Sequence, residues 1–440
     1  MSVTWHCPTW TQTKEVLFRA VNQSTKRIRV GVLGVGRGQS FARGAESVSM
    51  ELVALCDKWE EKLQEAGQQY QVATYTDYDQ FLEHDMDAVI LANYFHQHAP
   101  FAIKALEAGK HVMSECAACN TLAEGVELCR AVEQTGKIYM LAENYPYTAF
   151  NLEIARLYKA GEIGRVIYAE GEYNHPGDFD WKMSISPGLR HWRNNLPATY
   201  YCTHAMAPLM VITDTMPVRV SGFALPLPED SARRRLWRQQ DVGGIIMAVM
   251  DNGAVFKLIQ GGLPGHSIFY RLHGEWGLME MGRGPGYWGP GSVRVVHDEW
   301  DLKRGQVPEK IYYPQFPEWA KDALRAGHGG GDYFTNHFFA EAIRSGEQPY
   351  LDVYRGVAMS VIGILAWKSV LDDGNSYAVP DFTREESRRA YENDHWRPMD
   401  LDDQNAPPIS SRGKERDVLP EYLQQARKVW KKIGYGGEDV

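Results

Sequence analysis

A glycine-rich turn near the start of the chain has the chemistry of a phosphate-binding loop. Gly34, Gly36 and Gly38 follow the short apolar run 27–33 and open a segment long enough for a helix. In such a unit the first glycine permits a tight turn, and the second lets the backbone approach a pyrophosphate. The third glycine of the usual pattern would fall at Gln39, so Gly38 is displaced by one position. This context predicts a dinucleotide-binding turn rather than a purely structural one.

An acidic residue at the end of the next apolar run supports the same prediction. Asp57 follows residues 52–56, about 20 positions after the turn, where such folds place an acid that binds ribose hydroxyls. We expect its carboxylate to accept hydrogen bonds from the adenosine ribose and to repel a 2′-phosphate, which favours NAD over NADP. Two neighbouring cations, Arg37 and Lys58, weaken this preference.

A parallel sheet must hold the turn. Apolar runs of strand length alternate with segments of helix length over residues 27–142, which is typical of a doubly wound α/β fold. We predict a Rossmann domain over residues 25–145, preceded by a polar extension, residues 1–24. The predicted strands are residues 27–33, 52–56, 88–92, 111–113 and 138–142.

The pattern changes in the second part of the chain. Residues 251–253 (Asp-Asn-Gly) lie between two strand-like runs and signal a hairpin. We predict a substrate-binding α+β domain over residues 146–390, with an antiparallel sheet and a helix that packs back on the body. The tail, 391–440, ends in an amphipathic helix over 419–433. The predicted strands are residues 166–173, 218–225, 244–250 and 254–259.

The composition excludes several functional classes. The 440 residues carry 47 basic and 56 acidic side chains, a net charge of −9, and an acidic surface repels phosphate backbones, so we expect no nucleic-acid partner. No run approaches the roughly 20 apolar residues that would span a bilayer, and we expect no membrane association. The start of the chain does not read as a signal peptide. Six cysteines are too few for a disulfide framework, which predicts a reducing, cytoplasmic location.

Two close pairs of potential ligands need separate interpretations. Cys116 and Cys119 form a CxxC pair, but no second pair or nearby thioredoxin-like unit supports a redox motif. His96 and His98 have a metal-like spacing without a third ligand cluster. We therefore predict a cofactor-wall or structural role for these histidines, and no metal site.

Later motifs resemble those of the Gfo/Idh/MocA oxidoreductases, a family that joins a Rossmann domain to an open, mostly antiparallel sheet. The resemblance implies bound NAD, a sugar or cyclitol substrate, and subunits that assemble into a homo-oligomer, a dimer or a tetramer. The matching segments are 87–92, His98, 105–112, 327–332, 352–354 and 380–382. The cofactor-binding residues predicted from the turn and from this resemblance are Gly34, Gly36, Arg37, Gly38, Gln39, Ser40, Asp57, Asn93, His98, Glu115 and Asn144.

Two positions depart from the dehydrogenases of this family. Those enzymes carry Glu-Lys-Pro after the fourth strand, and their lysine helps to deprotonate the hydroxyl that is oxidised. Here Glu115 is retained and Cys116 stands at the lysine position. Tyr200 replaces an aspartate that precedes the family histidine, His204, by four residues. A thiol cannot serve as an ammonium, and the two losses count against a simple sugar dehydrogenase.

The substituting residues resemble another branch of the family, the NAD-dependent glycosidases typified by the α-N-acetylgalactosaminidases. This resemblance implies hydrolysis of a glycoside by transient oxidation at C3, C1–C2 elimination, addition of water and re-reduction, with no net redox change. It assigns His204 and Tyr201 to the C3 oxygen, Tyr173 to the C2 proton with a lowered pKa, and Glu143 to orienting or assisting proton transfer. The matching segments are 115–118, 143–147, 171–173, 201–204 and Pro208.

An irregular loop rich in indoles and cations, predicted over residues 174–198, precedes the family histidine. Indole faces stack on pyranose rings, and guanidinium groups bind hydroxyls or anions. We predict a small glycoside that is either anionic, for example a sulfoquinovoside, or an N-acetylhexosaminide. Solvation of the cations at the surface is the alternative. The predicted substrate-binding residues are Lys182, Arg190, Trp192 and Arg193.

Two other functions stay open at this point. An NAD-dependent sugar or cyclitol dehydrogenase would need Tyr201 or His204 in place of the missing lysine. A nucleotide-binding regulatory protein would leave Glu143, Tyr173 and His204 without a role. Release of an aglycone from aryl glycosides without accumulation of NADH and without added cofactor would distinguish the glycosidase from the dehydrogenase.

Overall fold

In a computed structural model the described residues form two sheets, one of six strands and one of nine. The predicted extension, residues 1–24, lies outside the residues that the structure describes. The described residues are 27–228, 240–265, 267–283, 291–303, 305–399, 402–403, 405–413 and 419–437.

The first sheet is parallel and consists of β1 (Ile28–Leu33), β2 (Met50–Cys56), β3 (Ala73–Tyr75), β4 (Ala88–Leu91), β5 (His111–Ser114) and β6 (Tyr139–Leu141). Its strand order is β3-β2-β1-β4-β5-β6. The central strands are covered on both faces, since Val30, Val32 and residues 88–91 expose none of their surface. The order reverses between β1 and β4, and in such sheets a ligand crevice opens at the carboxyl ends of the strands on either side of the reversal.

Helices α1 (Gly38–Gly44), α2 (Glu60–Tyr70), α3 (Tyr78–Leu82), α4 (His98–Glu107) and α5 (Leu122–Thr135) connect these strands. Their ends follow the usual capping chemistry: the Thr121 hydroxyl accepts the backbone N–H of Glu124, and Gly136 ends α5 with a φ of 65°. The predicted Rossmann architecture is confirmed. The sequence did not predict β3 or α3, because a strand of three half-buried residues is too short to show a period.

The second sheet consists of β7 (Val166–Asn174), β8 (Pro217–Leu225), β9 (Gly243–Met250), β10 (Val255–Gly261), β11 (Ser267–Gly274), β12 (Gly277–Met281), β13 (Val293–His297), β14 (Glu309–Tyr312) and β15 (Tyr377–Ala378). Its strand order is β14-β13-β12-β11-β7-β10-β9-β8-β15. Among the described neighbours only β7 and β10 pair in parallel. The prediction of a mostly antiparallel sheet is therefore confirmed, and Gly253, with a φ of 85°, lies in the turn between β9 and β10.

Seven α-helices follow the first sheet among the described residues: α6 (Ala149–Lys159), α7 (Phe179–Ser184), α8 (Thr203–Thr213), α9 (Gly331–Ser345), α10 (Val353–Val370), α11 (Glu385–Arg389) and α12 (Pro420–Lys432). Short 3₁₀ turns occupy Glu46–Val48, Phe95–Gln97, Tyr145–Tyr147, Trp192–Asn194, Glu299–Asp301, Glu318–Arg325 and His328–Gly330. The segment 174–198, predicted as an irregular loop, contains α7, whose first turn is capped by the Asp178 carboxylate accepting the N–H of Trp181. The predicted C-terminal helix is present as α12.

Helix α10 forms the core under the second sheet. It is long and apolar enough to cross a membrane, but 83% of it is buried inside the protein. It lies directly on β8, because a Cβ at Gly222 would come within 2.2 Å of the Ala366 carbonyl oxygen. The apolar character of α10 is thus explained by burial against the sheet.

Candidate active site

A cleft of about 1480 Å³ lies between the carboxyl ends of the parallel strands and the second sheet. This volume exceeds the roughly 300–1,000 Å³ of a pocket for one small ligand. It is large enough for a dinucleotide beside a second molecule. The residues that line it come from the glycine turn, both sheets, the segment 181–198 and the last described residues of the chain.

The glycine turn leaves free space beside its backbone. Gly34 has a φ of 96°, and a Cβ there would lie 2.4 Å from the Ala92 carbonyl oxygen, so this position requires glycine. A Cβ at Gly36 would meet no atom within 4 Å and would instead project into open space. That space beside the backbone is what a bound pyrophosphate needs.

Three residues predicted to bind the cofactor do not line the cleft and instead support the turn. A Cβ at Gly38 would lie 2.5 Å from Cγ1 of Val32, so this glycine allows α1 to pack on β1, which is the role of the third glycine in such turns. The Gln39 side chain donates to a backbone carbonyl of the turn at 2.7 Å, and the Ser40 hydroxyl donates to Asp332 at 2.6 Å. The displaced glycine therefore performs the packing role expected one position later.

The Asp57 carboxylate is held in place by the backbone. Its Oδ2 accepts the N–H of Val35 at 2.8 Å, and its Oδ1 accepts the N–H of Trp59 at 2.9 Å. A carboxylate oxygen accepts more than one hydrogen bond, so both oxygens keep capacity for ribose hydroxyls. Asp57 lines the cleft at the position predicted for the adenosine ribose.

Arg37 lines the cleft but is already paired with two carboxylates. Its Nε lies 2.7 Å from Glu115, and its terminal nitrogens donate to both oxygens of Asp332 at 3.0 and 2.7 Å. The same carboxylate accepts bonds from Asn144 at 3.0 Å and from His328 at 3.0 Å. Burial would raise the pKa of Asp332, but His328 and Arg37 outweigh it and hold that pKa far below its usual range. Arg37 therefore does not offer a free charge to a 2′-phosphate, which strengthens the preference for NAD.

The residues at this end of the cleft fit a dinucleotide. Both polar atoms of the Asn93 side-chain amide are buried without a hydrogen-bond partner among the described residues, and Asn93 lines the cleft. His98 lies behind it, with Nδ1 3.0 Å from the Ala117 carbonyl oxygen and Nε2 3.3 Å from the Asn93 carbonyl oxygen. Burial lowers the pKa of His98 and keeps the ring neutral. The imidazole thus fixes the Asn93 backbone, while the amide of Asn93 is available to the cofactor.

A histidine, a glutamate and a tyrosine form the polar centre of the cleft. His204 lies in the first turn of α8, with Nδ1 2.7 Å from Glu143 Oε1 and Nε2 3.3 Å from the Tyr201 hydroxyl. Glu143 is fully buried behind the imidazole and does not line the cleft. Burial would raise the pKa of Glu143, but His204 and Cys116 outweigh it and lower that pKa. The ionised carboxylate therefore holds Nδ1–H and directs Nε2 towards the cleft.

Cys116 contacts the same carboxylate. Its thiol donates to Glu143 Oε2 at 2.9 Å, and burial together with Glu143 and Glu115 raises its pKa well above the usual range. The residue at the lysine position is thus a neutral hydrogen-bond donor. Cys116 and Cys119 are both free thiols, which gives no support to the redox interpretation of this pair.

The same three side chains bring possible metal ligands together. Atoms of Cys116, Glu143 and His204 all lie within 4.8 Å of one another. In the structure these atoms bond to each other, and a zinc site would require the thiolate, whereas this thiol has a raised pKa. The absence of a metal cofactor stays a prediction.

Tyr173 lies beside His204 because the backbone of α8 approaches β7 closely. A Cβ at Gly171 would lie 2.0 Å from the Ala205 carbonyl oxygen, so glycine is required on β7 at this contact. The rings of Tyr173 and His204 are 4.6 Å apart, and Tyr145 lies 5.3 Å from Tyr173. The prediction of a lowered pKa is wrong for the protein alone: burial, together with Tyr145, raises the pKa of Tyr173.

Trp192 does not offer the open indole face that the sequence predicted. Its ring stacks on Phe95 at 5.1 Å, and the Arg193 guanidinium lies 4.2 Å from the ring centre. Trp192 is only 7% exposed. It lines the cleft as a supporting wall, and a more exposed indole, Trp181, lies on α7, where it stacks on His175 at 5.2 Å.

The three cations predicted to bind substrate lie in two different places in the structure. Lys182 and Arg193 line the cleft, and the Arg193 guanidinium lies 5.9 Å from the Tyr201 ring centre without a carboxylate partner among the described residues. Arg190 does not line the cleft. It forms an ion pair with Asp402 at 2.6 Å on the outside of the protein, so its predicted role in substrate binding is not supported.

Some cleft residues were not predicted from the sequence. Gln260 lies at an inward-facing position of β10, as the alternation of buried and half-buried residues along this strand indicates. Its buried Oε1 has no hydrogen-bond partner among the described residues. The imidazole of His328 and the last described residues, 435–437, also line the cleft. No local pattern identifies these, because their position depends on packing between distant segments.

Comparisons with known proteins agree with this geometry. Residues 28–143 match a family model described as the Gfo/Idh/MocA oxidoreductase family, NAD-binding Rossmann fold. Residues 237–389 match the model for the glycosyl hydrolase 109 C-terminal domain. A glycosyl hydrolase family 109 protein from a Shewanella species is 26% identical over 399 residues, which cover 81% of this chain and 85% of the relative. A family 109 protein from Shewanella baltica is 27% identical with the same coverage.

Solved structures with the same fold include sugar-processing oxidoreductases. A levoglucosan dehydrogenase in complex with NADH and levoglucosan superposes with a TM-score of 0.67 at 19% identity, covering 81% of this chain and all of that chain. A myo-inositol 2-dehydrogenase from Lactobacillus plantarum has a TM-score of 0.63 at 19% identity, with 80% and 100% coverage. At this identity these likenesses concern the fold. The family matches confirm the predicted resemblance, the NAD cofactor and an NAD-dependent enzyme of glycosidase type, with an oxidoreductase as the alternative.

Proposed function

We propose that this NAD-binding protein of the Gfo/Idh/MocA family, whose second part matches glycosyl hydrolase family 109, hydrolyses glycosides through transient oxidation of the sugar at C3. One observation carries the proposal. The family's catalytic lysine is replaced by a neutral thiol that bonds to Glu143, and Glu143 in turn bonds to His204. The polar centre thus presents an imidazole, oriented by a buried carboxylate, that can exchange a proton with a sugar hydroxyl.

The cofactor supplies the redox chemistry. NAD would be held by the open space beside the backbone at Gly34 and Gly36, by the carboxylate of Asp57 and by the side-chain amide of Asn93. Glu115 would lie near the nicotinamide ribose. When bound, NAD would supply reversible hydride transfer at C3 of the sugar, so that no cofactor is consumed. The remaining steps belong to the protein's own side chains.

His204 is proposed to take the proton from the C3 hydroxyl. In its neutral form the imidazole donates Nδ1–H to the buried Glu143 carboxylate, and Nε2 is then the atom that accepts the proton. Tyr201, 3.3 Å from Nε2, would donate to the C3 oxygen as it becomes a ketone. Glu143 is a positioning residue in this scheme, because it reaches the cleft only through the imidazole.

Tyr173 is proposed to remove the proton from C2, which the C3 ketone makes acidic. The electrons of the C2–H bond then form a C1=C2 double bond as the C1–O bond breaks, and the aglycone leaves. Water adds to C1 and a proton returns to C2. Burial raises the pKa of Tyr173, while the positive charge of Arg193 acts in the opposite direction. We therefore expect Arg193 to assist formation of the phenolate.

The proposed substrate is a small glycoside with an anionic group. Lys182 and Arg193 both line the cleft of a protein whose net charge is −9, and Arg193 has no carboxylate partner among the described residues. A guanidinium that has no carboxylate partner can bind the carboxylate or sulfonate of a ligand through two parallel hydrogen bonds. An N-acetylhexosaminide is the second candidate, since Gln260 lines the same cleft and its buried Oε1 has no hydrogen-bond partner among the described residues.

The deciding experiment incubates the purified protein with aryl glycosides and no added cofactor. We expect release of the aglycone without accumulation of NADH, and we expect His204→Ala to abolish release while NAD stays bound. Stoichiometric NADH from free sugar without aglycone release would instead establish the alternative, an NAD-dependent sugar dehydrogenase.

Comparing aryl sulfoquinovosides with aryl N-acetylgalactosaminides in wild type and Arg193→Met tests the substrate class. A KM that rises in the variant for the anionic glycoside alone supports an anionic substrate.

Two further parts of the proposal concern the protein in the cell. The described cysteines, Cys56, Cys116, Cys119, Cys129 and Cys202, are all free thiols, which supports a reducing, cytoplasmic location. The second sheet carries exposed apolar side chains, such as Ile167 and Phe223, which are 57% and 52% exposed. They support assembly into a homo-oligomer, and sedimentation analysis of the purified protein tests this.

A further inference from the structure

The last described residues of the chain lie in the cofactor end of the cleft. Tyr435, Gly436 and Gly437 line it together with Asp57 and Trp59, the residues that follow β2 on the ribose side of the glycine turn. They belong to a C-terminal segment, residues 419–437, which lies outside the residues that the two family models match. The segment therefore lies beyond the matched residues and reaches the cleft that they line.

The C-terminal segment is anchored on the helix that carries part of the cleft wall. On α12, Trp430 and Ala426 are fully buried, and the Trp430 indole donates to the Met183 carbonyl oxygen at 3.1 Å. Gln425 donates to Asp180 at 3.0 Å. Met183 and Asp180 belong to α7, the helix that also carries Trp181 and Lys182. The buried indole and its hydrogen bond give α12 a defined position on α7.

A closed helix end fixes the direction of the chain after α12. Gly434 has a φ of 78°, its N–H bonds to the Lys431 carbonyl at 3.1 Å, and the Tyr435 N–H bonds to the Trp430 carbonyl at 3.0 Å. This pair of bonds is the Schellman motif, which is often accompanied by a contact between the two side chains that flank it. That contact is present, since the rings of Tyr435 and Trp430 are 6.3 Å apart. The ring of Tyr435 is therefore held against the indole of Trp430, and the backbone leaves the end of α12 in a fixed direction.

Tyr435 bridges to the cofactor side of the cleft. Its ring packs edge-on against Trp59 at 6.0 Å, and the Trp59 N–H donates to the Asp57 carboxylate at 2.9 Å. The Lys62 ammonium lies 3.8 Å from the centre of the Trp59 ring. Two aromatic rings, those of Trp59 and Tyr435, thus lie beside the acid expected to bind the adenosine ribose. Any nucleobase can stack on an aromatic side chain.

We propose that residues 419–437 form a strap across the adenosine half of bound NAD, with Tyr435 and Trp59 as its contact surface. The strap joins α7 on the substrate side to the end of β2 on the cofactor side. Its function is to slow release of NAD, which suits an enzyme that regenerates its cofactor in every cycle. This inference depends on NAD binding and is independent of which glycoside is cleaved.

Dissociation of NAD from the holoprotein tests the strap. Protein loaded with radiolabelled NAD is diluted into excess unlabelled NAD, and retained label is followed by filter binding. We expect Tyr435→Ala to speed release by about tenfold, the effect of losing one aromatic contact of this kind. We expect Trp430→Ala, which detaches α12 without touching the cleft, to speed release at least as much. Gln424→Ala is the matched control, because Gln424 is exposed on the same helix and does not line the cleft.

Release at the wild-type rate in both Tyr435→Ala and Trp430→Ala would overturn the proposal. If Trp430→Ala does not fold, Tyr435→Ala decides alone, since Tyr435 is partly exposed and lies beyond the end of α12. The readout is retention of NAD and not turnover. A protein that retained NAD through the strap but cleaved no glycoside would therefore contradict the proposed function and leave the strap in place.

Discussion

At the scale of single residues, the centre of the cleft is a chain of hydrogen bonds rather than a charged lysine. The Cys116 thiol and His204 Nδ1 both bond to the buried Glu143 carboxylate. An ammonium at position 116 would pair with that carboxylate and compete with His204 for it. The neutral thiol avoids this competition and keeps Glu143 available to orient the imidazole.

The proposed C2 base gives the most specific prediction at this scale. Tyr173→Phe removes the hydroxyl and keeps the ring, so we expect aglycone release to fall by about 10²–10⁴, the usual contribution of a positioned general base. Oxidation at C3 should persist, because His204 and Tyr201 are unchanged. Absorbance of the reduced nicotinamide after addition of substrate measures this directly.

Tyr168→Phe is the matched control, since Tyr168 lies on the same strand and bonds to Glu170 outside the cleft. We expect it to behave as wild type. Normal aglycone release by Tyr173→Phe would exclude the phenol as the base.

The cluster of Cys116, Glu143 and His204 also yields a test of the absence of metal. Because these atoms bond to each other and the thiol has a raised pKa, we expect activity to be unchanged after dialysis against EDTA. Metal analysis of the dialysed protein provides the control. Loss of activity that one divalent ion restores would show that the cluster is a metal site.

At the scale of elements, the glycine turn combines two separate requirements. Gly36 faces open space, whereas Gly38 is the contact between α1 and β1. The first requirement belongs to the ligand and the second to the fold. The displaced glycine at position 38 is therefore a variation in the packing of α1 and leaves the phosphate site unchanged.

Two alanine substitutions should separate these requirements. We expect Gly36→Ala to fold with unchanged stability but to lose bound NAD, because its Cβ would occupy the space beside the backbone. We expect Gly38→Ala to lower the free energy of unfolding by about 1–3 kcal/mol, because its Cβ would overlap Val32. Thermal unfolding and the NAD content of the purified proteins measure the two effects. Equal losses of stability in both variants would contradict the separation.

At the scale of the whole molecule, one buried carboxylate links the two parts of the chain. Asp332, at the start of α9, accepts bonds from Arg37 and Ser40 on the turn side and from Asn144 after β6. It is 2% exposed and its pKa lies far below the usual range. The position of α9 against the glycine turn therefore depends on this ion pair.

We expect Asp332→Asn to lower the free energy of unfolding by about 3 kcal/mol at neutral pH, the usual cost of breaking a buried ion pair. The folded-state pKa is depressed, so the stabilisation is present above the unfolded value of about 3.9 and is lost as pH falls below it. Urea unfolding of both proteins at neutral and acidic pH should show a difference that shrinks in acid. Asp85→Asn, which removes an exposed partner of Arg29, should change little at either pH. A difference between Asp332→Asn and wild type that is independent of pH would contradict this account.

The sequence by itself determined the features that depend on neighbours along the chain. The strand–glycine–helix unit, the acid at Asp57 and the alternation of strands and helices predicted the Rossmann fold and its cofactor, and the motifs around Tyr173 and His204 predicted the glycosidase resemblance. Capping and periodicity act over a few residues, so such patterns can be read locally.

Only the tertiary structure decided which of these side chains meet. In the folded protein Arg37 pairs with Asp332, 295 residues away, and Arg190 pairs with Asp402 outside the cleft. The ring of Trp192 stacks on Phe95, and burial raises the pKa of Tyr173. The fold also brings Tyr435 to Trp59 across the cleft. Ion pairing, stacking and desolvation depend on distances between segments that are far apart in the chain, and those distances are set by the packing of two sheets around one cleft.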